Sequence, residues 1–223
     1  VRSIKIPPSY QKVKISNSSQ NYLQAVGMDS QGKKQYFYHP KFQNKQKELK
    51  FQELIKFGKK LPQIRKHIKN SLQESGCLRT KDKMISMIVY LLDCCSFRIG
   101  NPIYQENYKT YGLSTLNSRH LTFKPKEVVI EFIGKKGMNN KSSVKDMEMV
   151  EWLRKLAKET QHSKYLFSYQ NEKDKFVPIQ GDDINHFLKK FDDDLSAKMF
   201  RTWKANQILV SELYKEEYPK NKK

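Results

Sequence analysis

Two arginines and a lysine pair stand in an order that could do chemistry. Arg98 opens the run Arg98-Ile99-Gly100-Asn101-Pro102-Ile103-Tyr104, directly after an apolar stretch. Gly134-Lys135-Lys136-Gly137 is a glycine-bounded turn, and Ala197-Lys198-Met199-Phe200-Arg201-Thr202-Trp203 sets a lysine three residues before an arginine. These types suit phosphoryl transfer at a phosphodiester without a metal ion. Its non-bridging oxygens gain charge in the transition state and need fixed cationic donors. A guanidinium offers two parallel hydrogen bonds and keeps its proton. The leaving 5′ oxygen needs a general acid, which a lysine can supply when neighbouring cations and partial burial lower its pKa. A tyrosine nucleophile would keep the cut strand attached. In this pattern Arg98 and Arg201 are the clamps and Lys135 is the acid. Lys198 shares a helical face with Arg201 and would also touch the phosphate.

Each residue also has a plainer reading. Arg98 could be a cation at a helix C-terminus. Lys135 could be an ordinary turn lysine, and Lys198 with Arg201 a solvated face. Their order and surroundings carry the argument. So does scarcity, since only seven of the 43 basic residues are arginines. Where lysine meets the general need for charge, a retained arginine is expected to be needed for its fork.

The elements that must position them give an α+β architecture. Residues 1–73 read as a small β-rich N-terminal domain with trailing helices. Strands are expected over residues 10–15, 21–26 and 33–40, with glycine turns between them. From Lys41 to about Ser71 the pattern is helical, with a break expected near Gly58 to Pro62. Gln73 to Thr80 reads as a linker. Residues 80–223 read as a larger, mostly helical domain. Thr80 is a plausible N-cap for a helix over 81–97, where Met84, Met87, Ile88, Leu91, Leu92 and Cys95 form one apolar face. Pro102 to Asn107 suggests a short helical turn. Strands over 120–123, 128–133 and 140–144 make a β-hairpin with Lys135 and Lys136 at its tip. Further helices are expected over 146–159, 181–190 and from Ser196 to about Tyr214. Asp192-Asp193-Asp194 reads as a solvated turn.

Composition bounds the partner. The chain has 223 residues, a formal charge of +20 and 37% hydrophobic residues, enough for a core. A folded chain with this excess of positive charge is expected to meet a polyanion, nucleic acid first. No apolar run is long enough to span a bilayer, and the basic residues are not gathered on one amphipathic helix, so a membrane partner is not expected. Cys77, Cys94 and Cys95 read as small buried hydrophobes of a reducing compartment, and the scattered histidines offer no metal site. No Walker loop or cluster of paired carboxylates is present.

The Ile6-Pro7-Pro8-Ser9-Tyr10 start and the Gly32-Lys33-Lys34-Gln35-Tyr36-Phe37-Tyr38-His39-Pro40 run resemble the N-terminal domain of bacterial-like type IB DNA topoisomerases. The Arg98 segment, the Ile133-Gly134-Lys135 hairpin and Ala197 to Trp203 resemble the catalytic domain of the poxvirus and bacterial-like subfamily, in the same order. The resemblance covers nearly the whole chain. It implies the fold shared by type IB topoisomerases and tyrosine recombinases. It implies relaxation of supercoiled DNA by transient single-strand cleavage through a 3′-phosphotyrosyl intermediate, with neither ATP nor metal nor any other cofactor. Arg98, Lys135, Lys198 and Arg201 match catalytic positions. Tyr36, Tyr38 and Tyr104 match positions that touch DNA, and Asn101 and Lys136 join the DNA-binding set. One of Tyr36 and Tyr38 is expected to be a packed strand residue instead. Lys136 stands where the poxvirus enzymes carry an acidic residue.

One motif is absent: a His or Asn, then Thr-Pro, then the nucleophilic Tyr. The resemblance places it beyond Lys223, and neither Tyr214 nor Tyr218 has its surroundings, so the chain reads as incomplete at its C-terminus and not competent for covalent cleavage. The implied partner is duplex DNA, bound as a monomer inside the cell: the virion or host cytoplasm for a virus, the cytoplasm or nucleoid for a bacterium. Two other readings remain. A tyrosine recombinase shares the arginine and lysine logic but typically carries His-x-x-Arg where Lys198-x-x-Arg201 stands. A non-catalytic duplex-DNA-binding protein would need only the charge and the tyrosine-rich strands.

Overall fold

A computed structural model describes residues 4–159 and 163–215. Contacts divide the chain into two units, Val1–Ile55 and Lys56–Lys223. The division falls inside a helix, not in the stretch 73–80 expected to link two domains.

The first unit is built on a three-stranded antiparallel sheet, β1 (Gln11–Ile15), β2 (Leu23–Met28) and β3 (Lys34–Tyr38), in sequence order. Asp29 closes the β2–β3 turn by accepting from the Lys33 amide, the Gln35 side chain and the Gln31 amide, which together hold its carboxyl below the usual range. Alternation along β3 puts Tyr36 and Tyr38 on one exposed face and Phe37 on the other, beside Tyr10.

Helix α1 (Pro40–Gln73) runs unbroken through Gly58 and Pro62, which corrects the expected break. An interior proline costs ~3 kcal/mol or more. Against it, Phe57, Leu61, Ile64, Ile68 and Leu72 recur at spacings of three and four and are all buried. Burying each is worth about 1.5–3 kcal/mol, so the apolar stripe outweighs the lost hydrogen bond.

The second unit centres on α2 (Lys81–Cys95), which is buried over most of its surface. Thr80 caps it, its hydroxyl accepting from the Lys83 amide. Ser96 ends it in the left-handed region at φ 56°, its amide donating to the Leu92 carbonyl. A short helix, α3 (Pro102–Tyr108), follows. Then β4 (Leu121–Lys124), β5 (Glu127–Ile133) and β6 (Asn139–Val144) form an antiparallel sheet, with Val128, Ile130 and Phe132 facing inward. Helices α4 (Met147–Lys158), α5 (Gly181–Lys189) and α6 (Lys198–Lys215) complete the unit. Asp194, in the acidic turn, pairs with Lys56 at 3.0 Å.

Two further features depart from the sequence reading. Ser168–Gln170 (β7) and Phe176–Pro178 (β8) pair as a small antiparallel ribbon. The cysteines are not the buried hydrophobes expected: Cys77 and Cys94 are exposed and Cys95 is half-buried. The interior is already filled by the Met and Leu face of α2, and the two neighbouring thiols fall at its outer end.

Candidate active site

Arg98 lies two residues beyond the Ser96 cap, so it belongs to the loop after α2 and not to the helix end. That loop is tightly built. The Arg98 carbonyl accepts from the Leu113 amide at 2.9 Å, and the Ile99 carbonyl accepts from Ser114 at 2.7 Å. Gly112 crosses so close to Gly100 that a Cβ on either would meet the other's backbone. Gly100 also takes φ 106°, which side chains rarely adopt. Buried Thr115 ties the crossing, its hydroxyl bridging the amide and carbonyl of Gly112. The side chain of Arg98 itself is exposed.

Helix α6 brings Arg201 to this loop. Its Nε donates to the Ser96 carbonyl at 3.0 Å, two residues before Arg98. Burial, and secondarily the nearby Arg98 charge, lower the Arg201 pKa from its ordinary value. Two guanidiniums that repel each other in one place make a site that an anion would neutralise. With Nε committed to a carbonyl, the Nη1 and Nη2 pair of Arg201 remains as the fork. Lys198 is exposed one turn earlier on the same helix.

The β5–β6 hairpin reaches the same loop from its base. The Phe132 ring packs edge-on against Phe97, centroids 4.9 Å apart, and the Tyr111 amide donates to the Ile133 carbonyl at 2.8 Å. Two residues on, Lys135 opens a single helical turn, Lys135–Gly137, closed by the Gly134 amide on the Met138 carbonyl. Lys136 sits in the left-handed region at φ 64°, and both lysines are exposed. Under this junction His120 packs tilted against Tyr111, centroids 4.5 Å apart, and edge-on to Phe132 at 6.3 Å. Its Nδ1 accepts from the Asn117 amide, so a neutral ring carries its proton on Nε2. Burial, with help from the Arg119 charge, pushes its pKa down to about 4.

The remaining expected residues take two places. Asn101 caps α3, its side-chain oxygen accepting from the Ile103 amide. Tyr104 and Tyr108 project from α3 as an exposed pair, centroids 6.1 Å apart. Tyr36 and Tyr38 are in the other unit. Both are exposed, 51% and 39%, with rings 6.4 Å apart and nearly parallel, so neither is the packed strand residue expected. Tyr38 and Tyr22 each contact Phe42 at 5.2 and 5.1 Å, which extends the row. Tyr214 is 87% exposed on α6, and Tyr218 lies outside the described residues.

Sequence reasoning did not find the Ser96 carbonyl or the Phe97–Phe132 contact. The first is a backbone group and carries no side-chain signal. The second joins residues that no local spacing connects.

The fold and the loop–hairpin–helix junction define a class in which a β-rich N-terminal unit precedes a mostly helical unit bearing clustered cations. Residues 39–223 match the family described as the catalytic core of eukaryotic DNA topoisomerase I, and residues 1–29 match the N-terminal domain of bacterial DNA topoisomerase IB. The chain belongs to the type IB DNA topoisomerase family. It is 27% identical over 231 residues to DNA topoisomerase 1B of Acanthamoeba polyphaga mimivirus, covering 100% of this chain and 68% of that protein. It is 30% identical over 153 residues to DNA topoisomerase 1B of vaccinia virus (strain Copenhagen), covering 66% of this chain and 47% of that protein. A crystal structure of the XerH site-specific recombinase bound to difH substrate overlays on 69% of this chain and 42% of that one, with a TM-score of 0.45 and 13% identity.

Proposed function

We propose that this chain supplies the phosphate clamp and the general acid of a type IB topoisomerase acting on duplex DNA. The observation that carries the reading is the meeting of Arg201 with the Arg98 loop through the Ser96 carbonyl. A scissile phosphate held there would bond the Arg201 fork and Arg98 through its non-bridging oxygens, which gain charge as the nucleophile attacks. Lys198 would add a point charge. Lys135, carried at the hairpin tip, would protonate the leaving 5′ oxygen. A tyrosine other than Tyr214 and Tyr218 would form the 3′-phosphotyrosyl link, and one strand would turn about the other before resealing. Neither ATP nor a metal has a step in this scheme. Tyr36, Tyr38, Tyr104, Asn101 and Lys136 would meet the duplex, mostly at its backbone.

The test has two arms. This chain is incubated with a nicked suicide duplex and run under denaturing conditions; no covalent adduct is expected, and an adduct lost on Tyr214→Phe or Tyr218→Phe would overturn the assignment of the nucleophile. In a form of the protein that forms the covalent adduct, Arg98→Ala and Arg201→Ala are each expected to slow single-turnover cleavage by at least about a hundredfold with affinity changed only a few-fold. Equal losses in cleavage and affinity would instead mark a binding surface without clamp chemistry.

A further inference from the structure

Cys94 and Cys95 sit side by side at the last turn of α2, immediately before the Ser96 carbonyl that holds Arg201. Neighbouring residues on a helix ordinarily point their side chains well apart. Here the two sulfurs are 3.3 Å apart. Cys94 is exposed and lines a groove with Arg65, Lys69, Asp93 and Lys204, and the adjoining Cys95 is half-buried, so a small reagent reaches the pair from the Cys94 side. A hydrogen bond from Cys94, and secondarily one from Ser142, hold the Cys95 thiol below its ordinary range, while the same pairing and burial push Cys94 up. The two sulfurs are already within reach of each other, and either can be the donor in their contact.

We propose that Cys94 and Cys95 form a peroxide-sensitive dithiol whose vicinal disulfide opens the last turn of α2. The Cys95 thiolate attacks one oxygen of a hydroperoxide; an S–O bond forms, the O–O bond breaks and hydroxide or alkoxide leaves. Cys95 sulfur has then lost two electrons and is a sulfenic acid. The Cys94 sulfur attacks it, an S–S bond forms and the S–O bond breaks. The departing hydroxide takes the Cys94 proton and leaves as water. Two thiols and one peroxide give one disulfide and, for hydrogen peroxide, two waters.

Geometry makes this step consequential. Adjacent Cα atoms are about 3.8 Å apart across a trans peptide, below the ~4.4–6.8 Å span of ordinary disulfides. The ring that closes cannot keep helical dihedrals at both residues, so the turn must open. The bond that goes with it is the Ser96 amide to the Leu92 carbonyl. Strain of this kind also makes the bond easily reduced, which suits a reversible modification. The effect on Arg201 rests on the clamp reading above; the sulfur chemistry does not.

The experiment uses this chain carrying Cys77→Ser, treated with hydrogen peroxide and then with a thiol reductant. Peptide mass mapping is expected to show the Cys94–Cys95 peptide two hydrogens lighter, restored on reduction. Hydrogen exchange at the Ser96 amide should rise by about tenfold or more in the oxidised form, while amides at the centre of α2 stay protected. Adding Cys94→Ser should stop the sequence at sulfenic or higher oxides of Cys95, with no disulfide and Ser96 still protected. The proposal fails if the pair stays reduced, if it oxidises only to sulfinic or sulfonic acids, or if the disulfide forms with Ser96 exchange unchanged. These readouts involve no DNA, so they stand or fall separately from the clamp.

Discussion

His120 shows how one buried side chain holds the site together from beneath. It packs on Tyr111 and Phe132, the residues at which the Arg98 loop and the hairpin meet, and its Nδ1 is committed to the Asn117 amide. A second proton would have to enter this packed space beside the Arg119 charge, which is why its pKa falls from 6.5 to about 4. In that interval the unfolded chain binds a proton that the folded chain refuses. The stability from a neutral His120 is therefore complete above pH 6.5 and is lost as the pH falls toward 4. At most roughly 3 kcal/mol is at stake, a large share of the stability of a typical domain. Urea midpoints measured at neutral pH and near pH 4.5 should show the decline, and His120→Gln, which can still accept from the Asn117 amide, should flatten it. An unchanged pH slope in the variant would mean that other groups cause the decline. The same residue scale explains the arginines. Scarcity picked out Arg98 and Arg201, but it would equally have picked Arg79, which is 6% exposed and spends its guanidinium on Glu159, three backbone carbonyls and the Ser168 hydroxyl. A fork suits a phosphate and an interior carbonyl cluster alike, so composition alone could not separate them.

At the scale of elements, Gly58 is a notch for Trp203. A Cβ built on Gly58 would clash with the edge of the Trp203 indole, and the same ring meets Phe57 at 6.1 Å. Trp203 is two residues past Arg201, so the notch sets where α6 lies and hence where its guanidinium reaches. Gly58→Ala puts two effects in opposition. Helix propensity favours alanine by about 1 kcal/mol, whereas forcing a methyl into a packed ring costs about 1–3 kcal/mol. Overpacking should prevail, with a net loss of about 1 kcal/mol in urea unfolding, and the double variant with Trp203→Phe should recover part of it as a coupling energy. A rise in stability for Gly58→Ala alone would show that the indole moves aside freely. The expected break at this position went wrong for the same reason. Glycine and proline act on sequence patterns as local punctuation, but the partner that explains Gly58 is on a distant helix, and the stripe from Phe57 to Leu72 outweighs Pro62. Elements with a local signature were legible: Thr80 with its apolar periodicity gave α2, and glycines flanking alternating residues gave the Lys135 hairpin. The β7–β8 ribbon was not, because three-residue strands are too short to show a period of two. Its turn is instead set by the Asn171 side chain accepting from the Lys173 and Lys175 amides.

Taken whole, the molecule carries +20 across 223 residues, and its lysines are distributed along the chain. Charge of this kind draws in a polyanion from any direction, while the arginine pair, in the proposed clamp, would serve only one phosphate. Affinity and chemistry should therefore respond differently to salt. Each phosphate neutralised by lysine or arginine releases condensed counterions, and the logarithm of the association constant falls with the logarithm of salt by about 0.9 per contact on B-form DNA. If the exposed lysines and aromatic rows make about six such contacts, the slope is about −5, and affinity drops by roughly a thousandfold between about 50 and 200 mM salt. Arg98→Ala with Arg201→Ala removes two cations from this set, so the slope should become shallower by about 2 and no more. Fluorescence anisotropy with a labelled duplex, titrated at several salt concentrations, reads both quantities. A scrambled duplex of equal length should give nearly the same slope, because phosphate contacts carry no sequence information. A wild-type slope near zero would mean that base edges or apolar contacts hold the duplex, and the excess of lysine would then need another polyanion to explain it. A slope that collapses with the two arginines alone would mean that binding is concentrated at the clamp, leaving the remaining basic residues without a part in holding DNA.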